Sequence, residues 1–361
     1  LIFKSHSLSQ KPQHILVIRL SAMGDVAMTV PVLRALLQQH PNLKLTVVSR
    51  PFFKPFFDGI PNVNFFAVDV KNRHKGFFGL LRLFSDLKKF EIDMVADLHN
   101  VLRSKVIRSL YALSGKKVAF TNKGRAEKKA LTSLTNKVFK PVKPMVERHT
   151  ETFKELGFSI DLSSRSFGTQ FPDKAVLSDE ILKITGIKEQ NWLGIAPFAQ
   201  YESKVYPLDL MQKVIDELAK NNSIKIFLFG GGKDEIEKLN QLQNNHSNVI
   251  VLAGKLKFNQ EIDVISSLDV MLSMDSGNAH IAAMLGVKTI TLWGATHPFA
   301  GFAPFNQPFE NCLISDREKY PLLPTSIYGN KKVEGYEDVM RSISVESIVK
   351  KINFIFKPLS N

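Results

Sequence analysis

Apolar residues come along this chain in short unbroken runs, separated by helix-length segments with one apolar face. HILVIRL (14–20), KLTVVS (44–49), VNFFAVDV (63–70) and DMVADL (93–98) have the length and continuity of strands buried on both faces. Between them, 26–40 carries Val30, Leu33, Leu36 and Leu37 on one helical face, and 77–89 and 104–113 have helix length. The polar stretch 160–190, with one short helix, breaks the rhythm. It then restarts with strands at 192–198, 225–232, 249–254, 269–275 and 288–294, interleaved with helices at 208–221, 234–244, 260–267 and 278–285. An amphipathic helix over 344–356 closes the chain.

This alternation predicts an α/β fold of two Rossmann-like parallel-sheet domains facing across a cleft. The expected division is 1–175, 176–343, and a C-terminal helix and tail over 344–361 that packs back on the N-terminal domain. In open parallel sheets ligands sit at the carboxyl ends of strands, so the turns after the strands are the places to search.

Three turns carry chemistry. After the first strand comes Ser21-Ala22-Met23-Gly24-Asp25, in which Asp25 is either a helix cap or a carboxylate able to take a proton from a hydroxyl. Gly230-Gly231-Gly232 permits close backbone approach but is followed by Lys233-Asp234-Glu235, so it is not a dinucleotide fingerprint. SMDSGNAHIAAMLG (273–286) sets Asp275, Ser276, Gly277 and His280 where a strand hands over to a helix. That junction is either an N-capped core helix or a phosphate seat built from free amides, a hydroxyl and the positive end of the helix dipole. In the second reading His280 donates to a phosphate or holds Asp275. Lys204, after the 192–198 strand, is a cation for the same diphosphate.

Composition narrows the class. The chain has 361 residues, 44% of them hydrophobic and 23% charged, enough for a sizeable core. No apolar run reaches the roughly 18 residues of a membrane span, and LIFKSHSLSQKPQ (1–13) lacks the apolar core of a signal peptide. A single cysteine, Cys312, excludes an internal disulfide framework and makes the cytoplasm the expected compartment. HExxH, Cys/His clusters, GxSxG, Walker A and Asp-x-Asp are all missing. No metal site is therefore expected, and a bound diphosphate must be neutralised by helix ends and lysine. The net charge of +14 points to an anionic partner. Lys and Arg crowd 116–143, where Glu127 is the one acid. That segment is either a solvated loop and helix or an anion-binding surface. Only Phe120 and Phe139 interrupt it, too few aromatics for base stacking, and no nucleic-acid partner is expected.

The anchors ILVIRLSAMGDVAMTVPVLRALLQQHP (15–41), DMVADLHNVLRS (93–104), ESKVYPL (202–208) and SMDSGNAHIAAMLGVKTITLWGAT (273–296) resemble glycosyltransferase family 9, the ADP-heptose:lipopolysaccharide heptosyltransferases. The resemblance runs from about 14 to 356 and implies the GT-B fold, with an N-terminal acceptor-binding domain and a C-terminal nucleotide-sugar-binding domain. It implies that Asp25 is the catalytic base of an inverting transfer. Lys204, Asp275, Ser276, Gly277, His280, Glu235 and Leu256 would hold the nucleotide sugar, with Glu235 on the ribose. Gly24, His99, Arg103, Lys123 and Arg125 would line the acceptor side. Ala196-Pro197-Phe198 stands where the family often has His-Pro-Gly, and His99-Asn100 where it usually has Gln-Gly. The implied substrates are an ADP-linked sugar, with no separate cofactor, and an anionic lipopolysaccharide-type acceptor. The acceptor would be met at the cytoplasmic face of the inner membrane, to which Lys123, Arg125, Lys128 and Lys129 would draw the protein. The rival readings are a sugar-nucleotide epimerase or hydrolase on the same fold, and a non-catalytic nucleotide-binding relative.

Overall fold

The computed structural model describes residues 13–163 and 172–357. Residues 1–12, most of the stretch tested for a signal peptide, and 164–171, within the expected domain junction, lie outside the described residues. The described chain falls into two compact units. The first comprises 13–21, 32–122 and 148–163, the second 22–31, 123–147 and 172–357. The division by contacts therefore crosses the expected boundaries. The Gly24-Asp25 turn and much of the lysine-rich segment belong with the second sheet, not the first.

In chain order the elements begin with β1 (His14–Ile18), α1 (Met23–Ala27), α2 (Thr29–Gln39), β2 (Lys44–Ser49), β3 (Val63–Ala67) and α3 (Gly76–Lys88). β4 (Met94–Asp97), α4 (Leu102–Leu113), β5 (Lys117–Phe120), α5 (Arg125–Leu131), α6 (Met145–Leu156) and α7 (Asp179–Thr185) follow. Then come β6 (Asn191–Ala196), α8 (Leu208–Ala219), β7 (Ile224–Leu228), α9 (Lys233–Gln243), β8 (Val249–Val251) and α10 (Phe258–Ser267). β9 (Val270–Met274), α11 (Gly277–Met284), β10 (Lys288–Trp293), β11 (Cys312–Ile314) and α12 (Val345–Phe356) complete the chain. One sheet has the order β3-β2-β1-β4-β5, the other β11-β10-β9-β6-β7-β8. Every pairing is parallel. Each order reverses beside its first strand, between β1 and β4 and between β6 and β9, which are the switch points where such sheets bind ligands.

The continuous apolar runs are buried as their composition requires: β1 is buried at every position, and so is β9. Trp192 and Phe227 meet edge to face at 4.7 Å on one side of the second sheet, while Leu193, Ile226 and Leu228 enter the core on its other side. α12 packs on α8 through Ile348 and Ile352, both in that core. It thus belongs to the second unit and does not take the expected place on the N-terminal domain.

Several elements differ from the expected pattern for local reasons. The segment read as one helix over 26–40 is two, α1 and α2, separated at Met28. β3 ends at Ala67 because the Asp69 carboxylate accepts the amides of Lys71, Asn72 and Arg73 and turns the chain. β5 is a four-residue edge strand in lysine-rich sequence. α6 buries Arg148, His149, Thr152, Phe153 and Leu156, a helical spacing spelled largely in polar letters.

Parts of the lysine-rich segment are tied into the fold, although Arg125, Lys129, Lys140 and Lys143 remain exposed. Val142 N–H donates to Phe299 O at 2.8 Å and Met145 N–H to Gly301 O at 2.9 Å. The Phe139 ring lies 5.1 Å from His297, and the Arg317 guanidinium covers it at 3.4 Å. Lys137 Nζ donates to Leu131 O and to Pro324 O, both at 2.8 Å. Burial, with the Arg317 charge adding to it, pushes the His297 imidazole down to about 4. Unfolded, this ring gains a proton near its ordinary value of about 6.5, so the unfolded state binds more protons between about 6.5 and 4. Its contribution to stability is full above pH 6.5 and is lost as pH falls toward 4. Urea unfolding at pH 7 and pH 4.5 should therefore show a loss on the order of 2 kcal/mol more for the wild type than for His297→Asn. Equal losses would remove His297 from the acid limb.

Candidate functional site

β9 and β6 are neighbours at the reversal point of the second sheet. Asp275 leaves the carboxyl end of β9, and Lys204 lies on a short turn of helix (Glu202–Lys204) beyond the carboxyl end of β6. Sequence positions 71 apart thus converge because the topology puts their strands side by side. Lys204 Nζ stands 3.0 Å from Asp275 Oδ2, and both side chains are largely buried. Thr296 Oγ1, beyond the end of β10, donates to the same oxygen at 2.9 Å. An ammonium and a carboxylate out of water are stable only when paired, so each holds the other in place.

The lysine stem is also fixed. Gly329 has φ +85°, and a Cβ there would come within 2.7 Å of Lys204 Cγ and Cδ. Ser203 Oγ donates to Gly329 O at 2.7 Å, tying the 326–330 loop to the lysine turn.

α11 opens at this pair. The first amides of an α-helix have no intrahelical acceptor, and a serine at the N-cap usually provides one. Ser276 does not: its side chain makes no cap bond, and its hydroxyl lies 3.0 Å from Ser273 Oγ. Of the two readings of this junction, the capped core helix lacks its cap. His280, one turn in, does not hold Asp275. Its Nδ1 is buried with no hydrogen-bond partner. Burial pushes the imidazole below its ordinary value, against the pull of the Asp275 and Asp25 carboxylates, so the ring is neutral at neutral pH.

α1 lies against α11. The approach is so close that a Cβ on Gly24 would fall 2.6 Å from His280 Cδ2. A Cβ on Gly277 would meet the Met23 side chain, with Cγ at 3.4 Å and the terminal methyl nearer still. Asp25 is half-buried in the first turn of α1, and its Oδ2 accepts the Ala22 N–H at 3.3 Å. The carboxylate therefore supports its own helix start and sits in the electrostatic field of His280 at once.

The remaining expected residues are placed less centrally. Glu235 Oε2 accepts the Gly231 N–H at 2.7 Å, closing the glycine turn after β7. Phe198 packs on the second core, and a Cβ on Gly230 would touch it at 3.4 Å. Leu256 is half-buried in the turn before α10.

In the first unit, His99 is buried at the other switch point, where its Nδ1 accepts the Leu20 N–H at 3.4 Å. Asn100 has φ +46°, a left-handed conformation that asparagine and glycine tolerate best. A glycine would take that conformation as readily. Asp97 shapes that turn by accepting the amides of His99 at 3.0 Å and Asn100 at 2.7 Å, and it pairs with Arg108 at 3.1 Å. Arg103 is exposed on α4. In the second unit Lys123 is half-buried and Arg125 exposed. Lys128 is buried, its ammonium 3.9 Å from the Phe302 ring centre, so it is not a surface charge. Thr296, Gly329, Asp97 and Ser273 were missed by reading the turns one at a time. Thr296 and Asp97 lie within the family-like segments and follow strand ends, the one signal that could have found them. Among the described residues, no group of three or more His, Cys, Asp or Glu side chains could hold a metal ion.

Comparison with known proteins agrees with the geometry. The family profile described as Glycosyltransferase family 9 (heptosyltransferase) matches residues 80–327. The lipopolysaccharide core heptosyltransferase OpsX of Haemophilus influenzae is 25% identical over 309 residues, covering 82% of this chain and 83% of its own. A glycosyl transferase family 9 crystal structure from Veillonella parvula superposes with a TM-score of 0.73 at 18% identity, covering 96% of this chain and 97% of its own. The E. coli heptosyltransferase WaaC with ADP superposes with a TM-score of 0.64 at 20% identity, covering 95% of this chain and 100% of its own. Both solved structures share the arrangement of two parallel-sheet α/β domains.

The two glycines of the α1–α11 contact should behave as one unit. Gly24→Ala should cost about 1–3 kcal/mol by overpacking against the buried His280 ring, and Gly277→Ala less, because the Met23 methyl can move aside. The double variant should cost less than the sum, because one separation of the helices relieves both clashes. A double-mutant cycle by chemical denaturation measures this; strict additivity would mean the two contacts are independent.

Proposed function

The chain belongs to glycosyltransferase family 9, the heptosyltransferase family, and from that premise we propose an inverting, metal-independent transfer of heptose, or another sugar, from an ADP-linked donor to a lipopolysaccharide core or related envelope saccharide. The observation that carries this reading is the Lys204–Asp275 pair at the uncapped start of α11, with α1 held against the same helix. The ADP named with the E. coli enzyme favours an adenine nucleotide.

In this mechanism Asp25 takes the proton from an acceptor hydroxyl, and the oxygen attacks the anomeric carbon from the face opposite the leaving group. The bond from that carbon to the diphosphate oxygen breaks, and negative charge grows on the departing ADP. The amides of Gly277 and Asn278, the Ser276 hydroxyl and the Lys204 ammonium are fixed donors for that charge, and fixed donors stabilise it without reorganising. Neutral His280 adds a ring N–H donor beside them. Glu235 meets the ribose and Leu256 the base. Gly24, His99 and Arg103 line the acceptor side. Lys123 and Arg125, with exposed Lys129, favour an anionic acceptor and the cytoplasmic face of the inner membrane.

Calorimetric titration with ADP, UDP and GDP, with and without EDTA, tests the donor half. ADP should bind best, EDTA should change nothing, and Ser276→Trp should abolish binding. Binding that needs a divalent ion would overturn the metal-independent mechanism, and binding unchanged in Ser276→Trp would move the diphosphate elsewhere. Asp25→Asn should lower kcat by roughly 100- to 10,000-fold while ADP affinity stays within about twofold. Donor consumption without any acceptor saccharide would favour the epimerase or hydrolase reading instead.

A further inference from the structure

The first unit carries a second feature, of which the transfer chemistry uses only Arg103. Phe77 and Phe78, in the first turn of α3, are 63% and 75% exposed, and Leu102, which opens α4, is 79% exposed. Leu81 is exposed one turn behind Phe77. Each of these helices follows a strand of the parallel sheet and runs back against it, so both first turns lie at the carboxyl edge of the sheet. α3 and α4 pack side by side, with Phe84 and Tyr111 edge to face at 4.9 Å toward their far ends. Leu80 and Arg103 line one apolar recess toward the near ends. The exposed rings and leucines therefore stand at one edge of the sheet, on neighbouring helix starts. Large apolar groups gathered on a surface cost solvation free energy unless something covers them.

The charges around the patch say what would cover it. Residues 71–89 hold six Lys or Arg and one acid, Asp86. That acid is already engaged by Arg73 and His74. Residues 99–113 hold Arg103, Lys105 and Arg108 and no acid. Lys75, Arg82, Arg103 and Lys105 are exposed beside the apolar tips. Rings at the tip with long cationic side chains behind them suit a bilayer with anionic headgroups: the rings enter the boundary layer and the cations reach back to phosphate. A protein groove would not ask for so one-sided a charge.

We propose that the carboxyl edge of the first sheet, through Phe77, Phe78 and Leu102, inserts into an anionic lipid bilayer. The proposal deepens the reading above, since an acceptor carried on a lipid must be met at a membrane. It adds apolar residues of the first unit to the cations of 123–129 as the part that enters the bilayer. No helix among the described residues is long and apolar enough to cross a membrane, so the contact is one of shallow insertion.

Flotation of the full chain with vesicles of phosphatidylethanolamine and phosphatidylglycerol, against vesicles of phosphatidylcholine alone, measures it. Binding should favour the anionic vesicles. The Phe77→Ser/Phe78→Ser variant should lose about tenfold or more in partition, the scale expected for withdrawing two partly inserted rings. Its thermal unfolding should match the wild type, because both side chains are exposed. In Phe78→Trp, emission should move to the blue on anionic vesicles and be quenched by brominated acyl chains. Trp192 and Trp293, both buried, give a constant background. Undiminished partition in the serine variant, or an unquenched Trp at position 78, overturns the proposal. So does loss of a self-associated species in the serine variant with vesicle binding intact, which would make the patch a contact between copies. Turnover on a deacylated, water-soluble acceptor separates the two readings. The serine variant should retain it, whereas its absence in the wild type would count against the transferase reading and leave the vesicle result standing.

Discussion

The contact between α1 and α11 is close because Gly24 has no side chain. Gly24 faces the edge of the His280 ring at a separation no Cβ could share, whereas Gly277 faces only the movable end of Met23. That constraint ties the turn after β1 to the start of α11, although β1 itself belongs to the other sheet. It brings Asp25 into the field of His280 and buries the His280 ring, which in turn keeps the ring neutral. A chain that broke this approach would keep both sheets and lose the arrangement of its carboxylates.

Around that contact the site is built from charges that are fixed before any ligand arrives. Asp275 is held by Lys204 and Thr296, Lys204 by the loop at Gly329, and that loop by Ser203. Each link limits the motion of the next. A buried ion pair contributes little to net stability, because desolvation offsets most of the attraction. Its value here is geometric: it holds an ammonium at a helix start whose amides Ser276 leaves uncapped. In the proposed mechanism a leaving diphosphate would meet donors there that need not reorient, the condition under which electrostatic stabilisation of a transition state is largest.

Most of the fold was legible because its strands are buried on both faces and spell themselves as apolar runs, β1 and β9 most plainly. The strand–turn–helix junction of the 273–286 stretch was legible because its three parts follow one another without a gap. What could not be read was anything depending on a partner distant in sequence. β5 is held by its pairing with β4, not by its own composition. α6 hides its buried face in Arg148, His149 and Thr152, whose polar groups find partners only in the fold, as Thr121 does with His149 and Thr152. Gly329 looks like any loop glycine until Lys204 is seen lying across it. The exchange of 22–31 and 123–147 into the second unit was hidden for the same reason: these segments are assigned by what they touch, not by where they fall in the chain.

The basic excess illustrates how a bulk property divides when the structure is known. Four lysines donate to the last carbonyl of a helix, where acceptors are unsatisfied and the dipole is negative. Lys117 reaches Leu156 O of α6 and Lys137 reaches Leu131 O of α5. Lys225 reaches Thr185 O of α7 and Lys188 reaches Ser267 O of α10. Lys128 lies under Phe302, and Lys204 is paired with Asp275. These cations hold the fold or the site together and are poorly placed to attract a distant anion. The positive charge left to face solvent is therefore concentrated in fewer places than the sequence suggests. The carboxyl edge of the first sheet is one of them, and among the described residues it is there that such charge coincides with exposed phenylalanines side by side in a single helical turn. Charge without apolar surface gives a contact that salt can screen, whereas charge behind apolar surface gives one that holds at the ionic strength of a cell.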